Sequence, residues 1–295
     1  MTVFKLDADK RIIAAVDATD RTLDALELAK LLGQSTGAPV DAVSVFPYLA
    51  LADPAGEELV HLREEARTIL RQLANASDLK AAGVEVIPGN LPARELQRLS
   101  EQDSTGVIVV GSTHRGAVGR VLPGAVGERL LTGAACPVAA APRGYADVRP
   151  ASLKRVGVAF DGSEEAREAL ELARALVQAS GAELRIISVF EPMTFGALAT
   201  GRTGGASVNE LFRAELRSAL DEAVADASDV GAPEGRFLEG SAAELLAAES
   251  TELDLLVTGS RRYGPRTAVL LGGTTHALMG SAACPGLIVP RDATR

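Results

Sequence analysis

The strongest constraint on this chain is that it repeats itself. Lys10-Arg11-Ile12-Ile13-Ala14-Ala15-Val16-Asp17 returns as Lys154-Arg155-Val156-Gly157-Val158-Ala159-Phe160-Asp161. The same spacing relates Leu26-Glu27-Leu28-Ala29 to Leu170-Glu171-Leu172-Ala173, and Ser44-Val45-Phe46 to Ser188-Val189-Phe190. Later the spacing widens slightly: Val110-Gly111-Ser112 answers to Thr258-Gly259-Ser260, and Ala134-Ala135-Cys136-Pro137 to Ala282-Ala283-Cys284-Pro285. The extra residues belong in a loop. Solenoid repeats run about 20–50 residues, so a period this long means a duplicated domain. At 295 residues the chain has the length for two such domains. Apolar periodicity lapses between Arg143 and Pro150, which sets the expected division at 1–146 and 147–295.

Within each half, short apolar runs alternate with amphipathic stretches. Strands are expected at Ile12 to Val16, Val40 to Phe46, Val84 to Ile87, Val107 to Val110 and Pro137 to Ala141. Helices are expected between them, on Leu23, Leu26 and Leu31, from Glu57 to Leu79, from Ala93 to Ser100 and from Ala125 to Leu131. The second half repeats the strands near Arg155 to Phe160, Glu183 to Phe190, Arg236 to Leu238, Leu255 to Val257 and Gly286 to Val289. Strands that are apolar along their whole length, in strict alternation with helices, belong to a parallel sheet covered on both faces. The expected fold is α/β: a doubly wound, Rossmann-like, five-stranded parallel sandwich, made twice. Aromatic residues are only 3% and Trp is absent, so the cores must be built from Ala, Val, Leu and Ile.

Charge narrows the partners. Lys and Arg number 30 against 39 Asp and Glu, a formal net charge of −9, with no basic run to offset it. That field repels a nucleic acid duplex, so none is expected as partner. The amino terminus lacks the pattern of a secretory signal, and no apolar stretch of about 18 residues offers a membrane span. A cytoplasmic protein without a membrane partner is expected. Cys136 and Cys284 are too few for a disulfide framework and read as buried structural thiols. His61, His114 and His276 are too scattered for a metal cluster, and no metal site is expected from them. Arg63 to Arg67 reads as a solvated helix face with i,i+4 pairs.

In a doubly wound sheet, ligands bind beyond the carboxyl ends of the strands, where strand order reverses. Two segments in each half stand at such ends with turn chemistry. They are Asp17-Ala18-Thr19-Asp20 with Asp161-Gly162-Ser163-Glu164, and Gly111 to Gly116 with Gly259 to Gly264. If the first and fourth strands are neighbours, each pair of turns faces one crevice. A carboxylate at a strand end accepts hydrogen bonds, for example from ribose hydroxyls; alternatively Asp17 and Asp161 begin a turn, and Thr19 and Ser163 cap the next helix. Gly111 and Gly259 permit a tight turn and close approach to a ligand. Gly124-Ala125 and Gly272-Gly273-Thr274-Thr275 precede the last helix, where backbone N–H groups suit a phosphate chain or simply mark the helix start. Gly111 to Gly116 has Walker A glycine spacing but continues Ala117-Val118 where Lys and Ser/Thr are required, and no G-x-G-x-x-G follows the first strand. A P-loop NTPase and a dinucleotide dehydrogenase are thereby disfavoured.

These features together resemble the universal stress protein family, with each half similar to one domain and the whole chain similar to a tandem member. The resemblance rests on the Val-Asp-Ala-Thr and Phe-Asp-Gly-Ser turns, the Gly-Ser turns at Gly111 and Gly259, Gly124 and Gly272, and the two Ala-Ala-Cys-Pro segments. The nucleotide-binding branch of that family carries G-x2-G-x9-G-[ST] for ATP phosphates. This chain reads Gly111-x2-His114-x9-Gly124-Ala125 and Gly259-x2-Arg262-x9-Gly272-Gly273, keeping both outer glycines and replacing the second glycine and the terminal hydroxyl. The resemblance implies an adenine nucleotide (ATP, ADP or AMP), with Mg accompanying it. Val43 or Ile187 would pack on adenine, while His114, Arg115, Arg261 and Arg262 would bring charge to phosphate. The second half, with Asp161, Gly162 and Ser163 and the hydroxyls of Thr274 and Thr275, is expected to be the better site.

The leading functional expectation is a stress-response regulatory protein without turnover, acting on an unidentified protein partner. No activated nucleophile with a general base is apparent. The alternatives are a slow Mg-dependent ATP hydrolase, with Asp17 or Asp161 positioning the metal, and a nucleotide-free interaction module. The closing strands Val138 to Ala141 and Leu287 to Val289 present edges that need covering. The resemblance implies that they pair across a two-fold, as an intramolecular pseudo-dimer, with association into a homodimer as a further step. The Gly- and Thr-rich segment Thr194 to Ser207 reads as a loop able to fold over the second crevice, or as plain disorder.

Overall fold

The computed structural model describes residues 9–17, 22–46, 57–79, 82–112, 118–121, 124–148, 150–192, 204–260 and 273–290. In the first half the strands are β1 (Arg11–Ala15), β2 (Val40–Phe46), β3 (Gly83–Pro88), β4 (Thr105–Val110) and β5 (Val138–Ala140). Between them run α1 (Thr22–Thr36), α2 (Glu57–Ala76), α3 (Pro92–Ser100) and α4 (Ala125–Leu130). A short helix α5 (Tyr145–Val148) joins the halves. The second half has β6 (Arg155–Ala159), α6 (Glu164–Ser180), β7 (Glu183–Phe190), α7 (Gly204–Asp226), β8 (Glu234–Glu239), α8 (Ala242–Glu249), β9 (Leu255–Gly259), α9 (Gly273–Met279) and β10 (Gly286–Val289). Most expected strands lie within one or two residues of these bounds. The sequence missed α5, which falls in the segment read as an irregular seam and contains the expected division at 146. Helix α7 begins at Gly204, so the tail of the expected loop, 204–207, is helical; residues 193–203 lie outside the described residues.

All ten strands form one sheet, in the order β3-β2-β1-β4-β5-β10-β9-β6-β7-β8. Every neighbouring pair is parallel except β5 and β10, which run antiparallel with Gly286 opposite Ala140, Leu287 opposite Ala139 and Ile288 opposite Val138. The edges the sequence leaves to be covered therefore cover each other within one chain. Because strands are parallel within each half and antiparallel at the seam, the carboxyl ends of the two halves point to opposite edges of the sheet.

Burial follows the alternation of each strand. In β4, Val107 and Val109 face one helical layer while Ile108 and Val110 face the other, and all four are at most 5% exposed. Both layers run unbroken through the seam: one holds Ile12, Leu26, Leu172 and Leu287, the other Ile13, Leu130, Leu256 and Ile288. Helix ends follow local chemistry. Ser163 caps α6 by accepting the Ala166 N–H at 3.2 Å, Glu164 and Glu165 favour the positive end of the helix dipole, and left-handed Gly181 (φ 71°) closes the helix.

Three further contacts tie the halves together. Helix α1 packs against α6. Buried Asp24 of α1 accepts the N–H groups of Gly144 (2.9 Å) and Ala146 (2.8 Å), holding α5 in place; burial raises its carboxyl from the ordinary value, and the two N–H bonds oppose that rise. Arg120, in the connection between β4 and α4, donates to the Ser281 carbonyl after α9 at 2.5 Å. Near the start of β7 in the second half, Arg185 gathers Glu234 (2.8 Å), Glu249 (3.1 Å) and Glu252 (3.0 Å).

Two outcomes are expected. Leu287→Ala, which empties a 1%-exposed position on the seam strand, lowers stability in urea by about 2–5 kcal/mol, because burial is lost and a cavity remains. The Arg185 guanidinium holds the Glu252 carboxyl below its ordinary 4.5, so the stability this pair adds is present above pH 4.5 and lost as pH falls through the folded-state value. Glu252→Gln should accordingly show a smaller drop in melting temperature between pH 7 and pH 4 than the parent protein.

Candidate functional site

The first and fourth strands of each half are neighbours. β1 pairs with β4 and β6 with β9, each in parallel register, while β2 and β7 lie on the other side of β1 and β6. Chain order therefore reverses at β1/β4 and at β6/β9, and a crevice opens beyond the carboxyl ends at both places. The two crevices lie on opposite edges of the sheet and share the layer of α3, α4, α8 and α9.

The first crevice has a volume of about 360 Å³. Its floor is β-strand: Val16 ends β1, Val43 and Val45 come from β2, and Val110 from β4. Pro92 and Leu96 of α3 form a side wall, and Gly124 to Gly127 at the start of α4 form the opposite rim. Polar groups are few among the described lining residues. Asp17 is exposed at the mouth, and Thr22 hydrogen-bonds to the Asp17 carbonyl and, at 3.4 Å, to its carboxylate. The buried Ser112 hydroxyl donates to the Ala141 carbonyl on the neighbouring strand at 2.6 Å.

The second crevice is smaller, about 240 Å³, and more polar. Phe160 stands where the first crevice has Val16, and Thr258 where it has Val110. Ile187 and Leu246 repeat Val43 and Leu96. Asp161 sits at the mouth but is engaged in its own turn, accepting the Ser163 N–H at 3.0 Å and its hydroxyl at 2.5 Å. Gly162 has φ 78°, a left-handed conformation that this turn needs glycine for. At Gly259 a Cβ would meet the Glu165 carbonyl at 2.7 Å, so this glycine admits the first turn of α6. The close approach expected for a ligand is here made by the protein itself.

The structure thus brings Asp17, Val43, Gly111, Gly124 and Ala125 to one crevice, and Asp161, Ser163, Ile187, Gly259, Gly273, Thr274 and Thr275 to the other. Gly162, expected at the site, is not among the residues lining the second crevice; its left-handed turn lies against Ala219 of α7. His114, Arg262 and Gly272, with Thr19, Arg115 and Arg261, lie outside the described residues. Missed from sequence were Thr22, Leu96, Glu165, Leu246 and Thr258, whereas Ser260 belongs to the expected Gly-Ser turn. The parity of the fourth strand places Val110 and Thr258 beside the glycine turn, and that signal was available. Nothing local to α3, α6 or α8 announces which of their turns walls a crevice.

Elsewhere, Cys136 and Cys284 are buried, and burial pushes both thiols up to about 12. They sit as apolar core, unsuited to nucleophilic work. Among the described residues, no group of three His, Cys, Asp or Glu side chains is arranged to hold a metal ion, and no helix is long and apolar enough to cross a membrane.

Comparison with known proteins agrees with this architecture. The model of the universal stress protein family matches twice, over residues 9–142 and 152–290. A universal stress protein of Thermus aquaticus is 34% identical over 141 residues, 46% of this chain and 98% of the relative. One of Mycobacterium tuberculosis is 25% identical over 236 residues, 77% of each chain. A universal stress protein structure from Archaeoglobus fulgidus covers 96% of this chain and 99% of its own at a TM-score of 0.68 and 23% identity, which shows a shared fold. Two family matches laid end to end are what the repeat in the sequence and the paired half-sheets require, and the chain belongs to the universal stress protein family as a tandem member.

Proposed function

We propose that this protein binds an adenine nucleotide in the first crevice and works as a regulatory binding protein without turnover, within a stress response. The observation that carries the reading is the first crevice itself: about 360 Å³ at a switch point, apolar on its floor and side wall, with one carboxylate at the mouth. Small-molecule sites usually run about 300–1,000 Å³, and apolar walls with few polar groups are their ordinary make-up. Val43, Val45 and Leu96 would receive the base, Asp17 the ribose hydroxyls, and the backbone at Gly111 and Gly124 the phosphates. Magnesium would enter with the nucleotide.

The sequence favoured the second half because of its hydroxyls. Volume favours the first, since about 240 Å³ falls below the usual range. The unit that answers to the nucleotide is then the whole molecule, through the contacts that join the first crevice's connection to the second half.

Titration calorimetry with ATP, ADP and AMP at millimolar concentration should give binding heat for the parent protein. Val126→Trp, at a 37%-exposed rim position that can change without disturbing the core, should abolish it. Asp17→Asn should weaken binding about 10–100-fold, the worth of a hydrogen bond to a charged group. Absence of heat in the parent protein removes the proposal, and Mg-dependent phosphate release from ATP moves it to a hydrolase.

A further inference from the structure

The second crevice contains two side chains for which the described residues supply no partner. The hydroxyls of Thr258 and Ser260 are buried and make no hydrogen bond among the described residues. The residues are 6% and 8% exposed, and both line the crevice. Strand parity places them on one face of the sheet, toward Leu246 and Leu278 of the covering helices. A buried, unpaired hydroxyl is costly, so such groups are normally satisfied.

The first crevice shows what a purely structural solution looks like. There the residue at the Thr258 position is Val110, with no polar atom to satisfy, and Ser112, at the Ser260 position, is bonded to the Ala141 carbonyl. Ser260 keeps the equivalent backbone tie, its N–H meeting the Val289 carbonyl at 2.9 Å, but its hydroxyl does not follow. The second crevice therefore carries one hydroxyl that its twin lacks and leaves unbonded another that its twin uses.

From this geometry we infer that the second crevice takes an unphosphorylated, ribosyl-bearing ligand, a free pentose or a nucleoside, held on its floor by Thr258 and Ser260. Two hydroxyls two residues apart on one strand face stand about 7 Å from each other, which suits a ring bearing hydroxyl groups on more than one side. A chamber of about 240 Å³ limits the ligand to roughly that size. Among the described lining residues are two carboxylates, Asp161 and Glu165, and no lysine or arginine. That lining favours a ligand rich in donors over a polyphosphate. The two crevices of the tandem would then recognise different chemistry, one by apolar contact and the other by hydrogen bonds. This inference stands on the second crevice alone and does not require a nucleotide in the first.

The test uses the full chain carrying Val126→Trp, so that only the second crevice is open, with D-ribose, adenosine and ATP as separate probes in thermal melting. D-ribose or adenosine, at a hundredfold excess over its dissociation constant, should raise the melting temperature by roughly 5 °C, and ATP should not. Adding Thr258→Val, the residue type of the first crevice, should abolish the shift while leaving the ligand-free melting temperature unchanged or higher. A ribose shift locates recognition in the pentose, and a shift with adenosine alone locates it in the nucleoside. The inference is overturned by a shift with neither probe, by an equal shift with ATP, by a shift that survives Thr258→Val, or by a ligand-free protein that Thr258→Val destabilises. ATP heat in the parent protein reads the first crevice separately, so either reading can fail without the other.

Discussion

A parallel sheet buried on both faces still has two raw edges, and the inner one of each half is closed here by the other half. The antiparallel pairing of β5 with β10 satisfies backbone groups that would otherwise face solvent or a second molecule. It also makes two helical layers continuous, so that Ile12 and Leu287 belong to one core and Ile13 and Ile288 to another. The rest of the architecture depends on this pairing. It sets the crevices on opposite edges, brings α1 against α6, and places the turn after α9 beside the connection that leads from β4 to α4.

That last contact gives the molecule a direction. Helix α9 begins at Gly273, Thr274 and Thr275 on the wall of the second crevice and ends near Ser281, whose carbonyl receives Arg120 from the first half. The position corresponding to Arg120 in the second half is Ala268, which carries no guanidinium. Duplication supplied two equal modules, and substitution has since made their crevices unequal. Phe160 stands for Val16 beside one, and Thr258 for Val110 makes its floor polar. Both changes keep the sheet packed, because each replaces a buried side chain with one that still fills a strand-end position.

The division between turn chemistry and ligand chemistry is narrower than the sequence suggested. Asp161 and Ser163 satisfy each other and cap α6, and Gly259 is demanded by the Glu165 carbonyl. The bland reading of these residues, as turn and cap, is therefore realised in the structure, and they line a crevice at the same time. Asp17 is likewise exposed at the mouth of the first crevice and hydrogen-bonded to Thr22, at the start of α1. Motif residues in this fold do structural work first, and only their surroundings decide what remains for a ligand.

Fold class, duplication and most element bounds were legible in the letters because they are written in short-range patterns: unbroken Val/Ile runs for strands buried on both faces, helical spacing between them, and a repeat visible by direct comparison. The placement of Asp17 with Gly111, and of Asp161 with Gly259, was legible given one assumption, that the first and fourth strands are neighbours. Tertiary structure decided the rest. Strand order comes from which apolar faces pack across distances in sequence, and no local pattern encodes it. The same holds for α5, four residues held at their start by Asp24, far away in the chain, which accepts the N–H groups of Gly144 just before the helix and Ala146 within it. The depth and polarity of the second crevice depend on Leu246, Thr258 and Ser260 meeting in space, and only the packed chain determines that.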